Sequence, residues 1–458
     1  MGHYGLRSTV GLVAEKLFID PVRFSAKKKR TLPSFPEGYK KAEIGESEKR
    51  ETPYTVLYAL HYFYPLKKGG TERFTLNIAK EAVSRGNAAK VLVLEANEAE
   101  SEYTGKLGNI LYRYYEYEGI RCIGFRHKKA PLGLYYKCVT LDDPDMRSFM
   151  HFIIDSEKID LVHATYPQPF APFLDECREC GVPYVVTCTD FAMMCHYSTM
   201  VDKRGNFCGG TEGGEKCKAV CKTYGCNDFK ARHDAAERVL FGASIVTVPS
   251  EFVARLIGRE FEGLGILPVN HGISDSFAMR EGRESVKRFV YAGTVSQLKG
   301  IHLLIEAFGR LVGDDLSLLI YGSGDDKYEA ALRKKADSRV RFMGAAPAEK
   351  MPEIYSEADC VIIPSMWYET YNFVLREAAQ TGALVIAADI GAMSEAIREG
   401  ENGFLFEPAS ADALYEKMKL ALDFDFKNYK PVSYPKTRDE GDTYDRIYRA
   451  ALANKKQQ

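Results

Sequence analysis

From Pro53 onward, short apolar runs alternate with amphipathic stretches. The run YTVLYAL (54–60) is continuous and β-rich, the pattern of a strand covered on both faces. Phe74, Ile78 and Ala82 then recur every four residues. That spacing predicts a helix N-capped by Thr71 and closed at Gly86. KVLVLE (90–95), IDLVHAT (159–165), PYVVTC (183–188) and SIVTVPS (244–250) predict further strands, with helices near 145–158, 170–180 and 228–241. Strands alternating with helices in this way predict a parallel sheet.

The pattern then restarts. FVYAG (289–293) predicts a strand, 299–311 a helix, and LSLLIYG (316–322), RVRFMG (339–344), CVIIPS (360–365) and ALVIAAD (383–389) more strands. The expected architecture is therefore α/β, with two Rossmann-like, doubly wound domains facing a cleft. A polar, glycine-containing stretch, 270–285, divides them. The expected boundaries are a loosely ordered tail at 1–52, a first domain at 53–275, a second at 286–425, and a connector with a final helix at 426–458. That helix, read over 443–452, has no strand partner of its own and is expected to return to the first domain.

Charge narrows the function classes. Lys and Arg total 62 against 63 Asp and Glu, a net charge of −1. This excludes a grossly basic nucleic-acid binder. No apolar run is long enough for a transmembrane helix. The first twenty residues lack the features of a secretion signal, and Leu6 breaks the myristoylation pattern. A cytoplasmic location is expected. The basic run Lys27–Arg30 leaves open a peripheral contact with the inner face of the membrane.

In doubly wound sheets, ligands bind outside the C-terminal ends of the strands. Three segments there carry candidate chemistry. Gly69-Gly70-Thr71-Glu72 joins the first strand to the first helix, where a close backbone approach and helix N–H groups suit an anion. An ordinary loop-to-helix transition reads equally well. Lys299, after the strand at 289–293, can add an ammonium to an anion site, or be a solvated lysine. The third segment, PSMWYETYNFVLREAAQTGALVIAAD, is more specific. Asn372 is a reasonable N-cap, the amides at Phe373 and Val374 can hold a diphosphate, and Glu377 can accept both hydroxyls of a ribose. Glu369, in the preceding loop, can reach the attached sugar. His61 follows a strand and directly precedes the first anion loop. His271 reads as a polar loop residue and His163 as a core residue. Asp143-Pro-Asp145 and Asp423-Phe-Asp425 read as solvated turns.

Together, GGTERFTLNIAKE (69–81), YAGTVSQLKGIHLLIEAF (291–308), YGSG (321–324), VRFMG (340–344), ETYNFVLREAAQTGALVIAADIGAMSEAI (369–397) and ENGFLFEP (401–408) resemble the retaining, nucleotide-sugar-dependent glycosyltransferases of family 4. The resemblance covers residues 53–425. It implies the GT-B fold and transfer of a hexose from a nucleoside diphosphate sugar, UDP or GDP based, to a hydroxyl of a glycan or lipid-linked acceptor, with retention. It implies a ribose-binding role for Glu377, a hexose contact near the anomeric carbon for Glu369, and a diphosphate contact for Lys299. It also implies donor contacts from Gly70, Thr294, Gly322, Met343, Gly344, Asn372, Phe373 and Val374, and no catalytic divalent metal. His61, Thr189 and Asp190 fall on the acceptor side, with Glu369, Asp190 and Lys299 as the catalytic candidates.

Three positions depart from the family pattern. Thr294 stands where Arg is frequent, Asn372 where Gly is usual, and Thr189 where His usually precedes Asp190. A substituted acceptor site accounts for the last. A catalytically weakened sugar-nucleotide-binding protein is the alternative, and a nucleotide-sugar epimerase ranks last. Neither the sugar nor the oligomeric state follows from the sequence.

Eight of the eleven cysteines lie between Cys177 and Cys226. Within the insert at 188–226, Cys195, Cys208, Cys217 and Cys221 read as a structural zinc site, with an iron–sulfur cluster as the second candidate and free thiols as the third.

Overall fold

The computed structural model describes residues 32–35, 37–45, 52–95, 100–128, 142–202, 204–221 and 228–454. They form two compact units. The first comprises residues up to Pro249, Val253–Val269 and Arg438 onward; the second comprises Ser250–Phe252 and Asn270–Thr437.

The first unit is built on a nine-stranded sheet in the order β3-β4-β5-β2-β1-β6-β7-β8-β9. Its strands are β1 (Thr55–His61), β2 (Ala88–Leu94), β3 (Gly105–Leu107), β4 (Ile110–Tyr117), β5 (Ile120–His127), β6 (Leu161–Ala164), β7 (Tyr184–Thr187), β8 (Ile245–Val248) and β9 (Ile266–Pro268). All pairings are parallel except β3–β4 and β4–β5. The hairpin at 105–127 is not among the expected elements. Its Tyr- and Arg-rich strand β4 (ILYRYYEY) alternates buried and exposed positions only weakly, so its apolar pattern is faint. Helices α1 (Gly70–Ser84), α2 (Pro144–Ser156), α3 (Ala171–Glu179), α4 (Glu215–Val220), α5 (Phe229–Gly242) and α6 (Glu251–Glu260) follow the strands. Residues 40–42 pair with Ile266 and extend the β9 edge by a short bridge.

The second unit carries a six-stranded, wholly parallel sheet in the order β12-β11-β10-β13-β14-β15. Its strands are β10 (Arg288–Ala292), β11 (Ser317–Tyr321), β12 (Val340–Gly344), β13 (Cys360–Ile363), β14 (Leu384–Ala388) and β15 (Gly403–Phe406). Strands β13 and β14 are buried at every position, which is why they read as unbroken apolar runs. The helices are α7 (Ile301–Phe308), α8 (Asp326–Arg333), α9 (Met351–Glu357), α10 (Phe373–Gln380) and α11 (Ala411–Leu422).

The last helix, α12 (Thr437–Asn454), lies in the first unit from Arg438 on. It starts six residues earlier than its apolar spacing suggests, because its first turns are charged. Tyr444, Ile447, Tyr448 and Ala451 enter the core beside Tyr58 and Phe74. His163 joins strand and helix, with Nδ1 2.7 Å from the Tyr448 hydroxyl and Nε2 2.7 Å from Thr187 Oγ1. Burial lowers its pKa to about 3, so it stays neutral and both ring nitrogens serve hydrogen bonds.

Candidate functional site

In the second unit, the C-terminal ends of β10, β11 and β12 are tied side by side. Gly293 N donates to Tyr321 O at 3.0 Å, and Gly322 N donates to Gly344 O at 2.8 Å. A Cβ at Gly322 would sit 1.8 Å from the Gly293 carbonyl, so only glycine permits this approach. Thr294 is exposed, and its carbonyl accepts from the Tyr291 hydroxyl at 2.7 Å. Met343 is 49% exposed, one residue before the end of β12.

Lys299 does not open the following helix as expected. It ends a one-turn 3₁₀ segment (Gln297–Lys299), and Gly300 at φ +70° is the N-cap of α7. A side chain at 300 would collide with the Pro364 carbonyl, 1.8 Å from an ideal Cβ. This contact locks the loop after β10 against the loop after β13, and it sets Lys299 facing Glu369.

Glu369 is 7% exposed. Its Oε1 accepts three hydrogen bonds: from Lys299 Nζ at 2.6 Å, Ser365 Oγ at 2.7 Å and Trp367 Nε1 at 2.7 Å. Burial alone would raise this carboxyl, but the Lys299 charge and the three hydrogen bonds together hold it below its usual range. It is ionised at neutral pH, with Oε1 committed and Oε2 left for another donor. Trp367 also lies under the Lys299 ammonium, 4.8 Å from ring centroid to Nζ. Ser365 and Trp367 are not among the residues expected from the sequence. The signal for Trp367 is that it is the chain's sole tryptophan, two residues before Glu369.

Asn372 caps α10 as expected. Its Oδ1 accepts from Leu375 N at 2.9 Å, and its φ of +67° is one that asparagine tolerates. With Leu375 N taken, the amides of the first turn, at Phe373 and Val374, define the helix tip. His271 does not behave as a polar loop residue. It is buried and stacks on Phe373, with centroids 5.3 Å apart and planes 8° apart. Tyr371 donates to the His271 carbonyl, and the Arg376 guanidinium covers the Tyr371 ring at 3.7 Å. Glu377 is 2% exposed, one turn up the same helix. The loop after β14 also touches Glu369, whose carbonyl accepts from Ala392 N at 2.8 Å.

The first unit gathers its own polar cluster at the ends of β1, β6 and β7. Gly69, not Thr71, occupies the N-cap position of α1, and Gly70 opens the helix. The Thr71 hydroxyl is engaged elsewhere, with Oγ1 2.8 Å from Thr189 Oγ1. Thr189 also donates to the Thr165 carbonyl at 3.1 Å. The buried Glu72 turns back to the amides of Gly69 and its own backbone, and burial raises its pKa. His61 is buried with its ring 3.7 Å from that of Tyr166, and burial lowers its pKa well below the usual value. Asp190 accepts from Ala192 N at 2.7 Å and bonds to the Tyr166 side chain. Desolvation outweighs these bonds and pushes its pKa up to about 7. Asp143 and Asp425 are helix caps, accepting from Met146 N and Lys427 N. Asp143 and Asp145 do not form the expected solvated turn, because His127 stands 3.5 and 3.6 Å from their carboxylates and Asn109 donates to Asp145 at 2.6 Å.

Two parallel-sheet units of this kind define the GT-B fold, and the chain belongs to that fold class. HepE from Anabaena, solved in complex with UDP, has a TM-score of 0.57 at 17% identity, covering 88% of this chain and 97% of its own. At that identity the likeness shows the fold alone. The family described as Glycosyltransferase Family 4 matches residues 68–262, and the one described as Glycosyl transferases group 1 matches residues 286–423. These two matches, one in each unit, support a GT-B glycosyltransferase family. Among curated relatives, the lipopolysaccharide 1,2-N-acetylglucosaminetransferase of Salmonella typhimurium is 27% identical over 39% of this chain and 52% of its own length. The D-inositol 3-phosphate glycosyltransferase of Corynebacterium efficiens is 31% identical over 30% of this chain and 35% of its own. The chain thus matches about half or less of these relatives' length. Among the described residues, no helix is long and apolar enough to cross a membrane.

Proposed function

We propose that this chain is a glycosyltransferase that moves a hexose from a nucleoside diphosphate sugar to a hydroxyl of a glycan or lipid-linked acceptor, with retention of configuration, in the cytoplasm. The carrying observation is the pairing of Lys299, in the turn after β10, with Glu369, in the loop preceding α10. It sets a cation and an oriented, ionised carboxylate in one unit with the capped helix tip at Asn372.

In this reading the helix tip and Lys299 neutralise the diphosphate, and Glu377 accepts from the ribose hydroxyls. Glu369 presents Oε2 to a hydroxyl of the transferred sugar. Gly322, Met343 and Gly344 border the base, with Thr294 contributing its carbonyl turn. The sugar–oxygen bond breaks as the diphosphate leaves. The departing phosphate oxygen takes the proton of the incoming hydroxyl on the same face, so no strong protein base is called for. Asp190, Thr189 and His61 are assigned to the acceptor. UDP is the first donor base to test, because HepE, which shares the fold, was solved with UDP.

Calorimetric titration of the full chain with UDP- and GDP-sugars, followed by donor hydrolysis and transfer assays, tests the proposal. Binding and turnover of a nucleotide sugar support it. Binding without turnover on any glycan or lipid-linked acceptor favours the weakened binding protein, for which the exposed, uncharged Thr294 is the motivating observation. Binding of no nucleotide sugar overturns both.

A further inference from the structure

The four insert cysteines read from the sequence as a metal site, Cys195, Cys208, Cys217 and Cys221, do not bring three sulfurs within ligand reach of one another among the described residues. A different set of donors converges on the outer face of the same unit, between helices α2 and α3. These helices pack through their apolar sides, with the rings of Phe149 and Phe173 6.2 Å apart. His151 stands on the polar side of α2. Glu176 lies in the last turn of α3, and Cys180 is its C-cap, with Cys180 N donating to Glu176 O at 2.9 Å. That turn stacks positions 176 and 180 on one face. A helix between parallel strands runs back against them, so α3 ends beside the start of β7. The three residues therefore lie at the opposite end of the sheet from the polar cluster of Thr189 and Asp190.

The three donor atoms form a nearly equilateral triangle. His151 Nδ1 is 3.2 Å from Glu176 Oε1 and 3.3 Å from Cys180 Sγ, and Sγ is 3.3 Å from Oε1. Zinc bonds of about 2.0 Å to nitrogen and oxygen and about 2.3 Å to sulfur set tetrahedral donors roughly 3.3–3.6 Å apart. The observed triangle thus needs only tenths of an ångström of opening. Its neighbours are arranged to suit. With Nδ1 facing an ion, the ring proton sits on Nε2, where Asp155 Oδ2 lies 3.4 Å away. A carboxylate at the far ring nitrogen is the usual outer partner of a metal-bound imidazole. Arg147 lies 3.9 Å from Glu176 Oε2 and pairs with Glu179 at 2.7 Å, which leaves Oε1 as the oxygen facing the triangle. Without an ion, burial and the Glu176 carboxylate keep the proton on the Cys180 thiol, whose pKa is pushed up to about 11.

We propose that His151 Nδ1, Glu176 Oε1 and Cys180 Sγ form a site for a zinc-class divalent ion that ties α2 to α3. The mixed nitrogen, oxygen and sulfur set selects borderline ions such as zinc over magnesium and calcium, which prefer oxygen alone. On binding, the Cys180 thiol releases its proton to solvent and its sulfur lone pair bonds the ion; nothing is oxidised or reduced. Water fills the fourth position, because His151 is exposed and the triangle opens outward. The ion binds the folded pair of helices and not the unfolded chain, so it stabilises the first unit.

This inference is independent of the proposed transfer reaction, and its test does not use activity. The full chain is stripped with a chelator, which is then removed, and is alkylated under native conditions with and without zinc. Mass spectrometry of the peptide carrying Cys180 reads this one thiol, whatever other cysteines bind. Zinc should slow alkylation of Cys180 about tenfold or more, since a ligated sulfur is no longer a free nucleophile. Chelator should restore the rate, and magnesium should leave it unchanged. H151A changes an exposed side chain and should lose the protection, together with the zinc-dependent rise in Tm. If H151A fails to fold, protection in the unaltered chain still decides. Cys180 alkylated equally fast with and without zinc, protected equally by magnesium, or protected undiminished in folded H151A would each overturn the proposal.

Discussion

The ammonium of Lys299 lies 2.6 Å from Oε1 of Glu369, although seventy residues separate them in sequence. The pair fixes the protonation state and the orientation of the carboxylate together. Replacing Glu369 by Gln keeps the shape but removes the charge that Lys299, Ser365 and Trp367 surround. Transfer should fall about 100-fold or more, as expected for loss of a charge-assisted contact worth roughly 3 kcal/mol. Steady-state kinetics check this; a variant within threefold of the unaltered chain would remove Glu369 from the reaction.

Glu377 is buried at 2% exposure, and its proposed work is to bind. Glu377→Ala should weaken UDP-sugar binding by about 100-fold, near 2.7 kcal/mol. The isosteric Glu377→Gln should lie between the two. Calorimetry reads both, and circular dichroism confirms that α10 survives. Equal affinity in all three proteins would place the ribose elsewhere.

Trp367 is the only tryptophan, and it touches both Lys299 and Glu369. Intrinsic emission is therefore a reporter of this one site. Drawing Lys299 toward a diphosphate should change the emission saturably with UDP, and W367F should abolish the signal. If UDP binds by calorimetry and the emission does not move, Lys299 is not a diphosphate ligand.

Asp190 carries a pKa pushed up to about 7, above the ordinary 3.8. A carboxyl raised on folding favours the protonated fold, so the fold loses stability as pH rises from about 4 through 7. D190N removes that penalty. It should be more stable than the unaltered chain at pH 8, on the order of 1–2 kcal/mol after allowance for its partial opening to solvent, and not at pH 4. If the carboxylate orients the acceptor, transfer should rise through pH 7 in the unaltered chain and lose that inflection in D190N. Denaturant midpoints at the two pH values and a pH–rate profile test the two halves separately.

Gly300→Ala inserts a Cβ 1.8 Å from the Pro364 carbonyl at a φ of +70°. Destabilisation of at least about 2 kcal/mol is expected, with weaker donor binding because Lys299 is adjacent. Chemical denaturation measures it. A change under about 0.5 kcal/mol would mean that the loops after β10 and β13 separate easily.

The sequence alone determined a great deal where one face or both faces of an element must be buried. The runs at 54–60, 360–365 and 383–389 could only be strands of a covered sheet, and the resemblance across 369–397 carried the GT-B fold with them. Asn372 was legible as a cap because capping is a local event. Tertiary structure decided what depends on residues far apart. Only contact with Pro364 moved Lys299 out of helix α7 and onto Glu369, and only the meeting of the loops after β10 and β13 filled Oε1. Thr71 had the chemistry of an N-cap, but the nearness of Thr189 gave its hydroxyl another partner. The hairpin at 105–127 escaped notice because an edge hairpin rich in tyrosine and arginine leaves a weak period. Local periodicity records which side of an element is dry; it holds no record of which distant polar atom meets which, and the site chemistry depends on that.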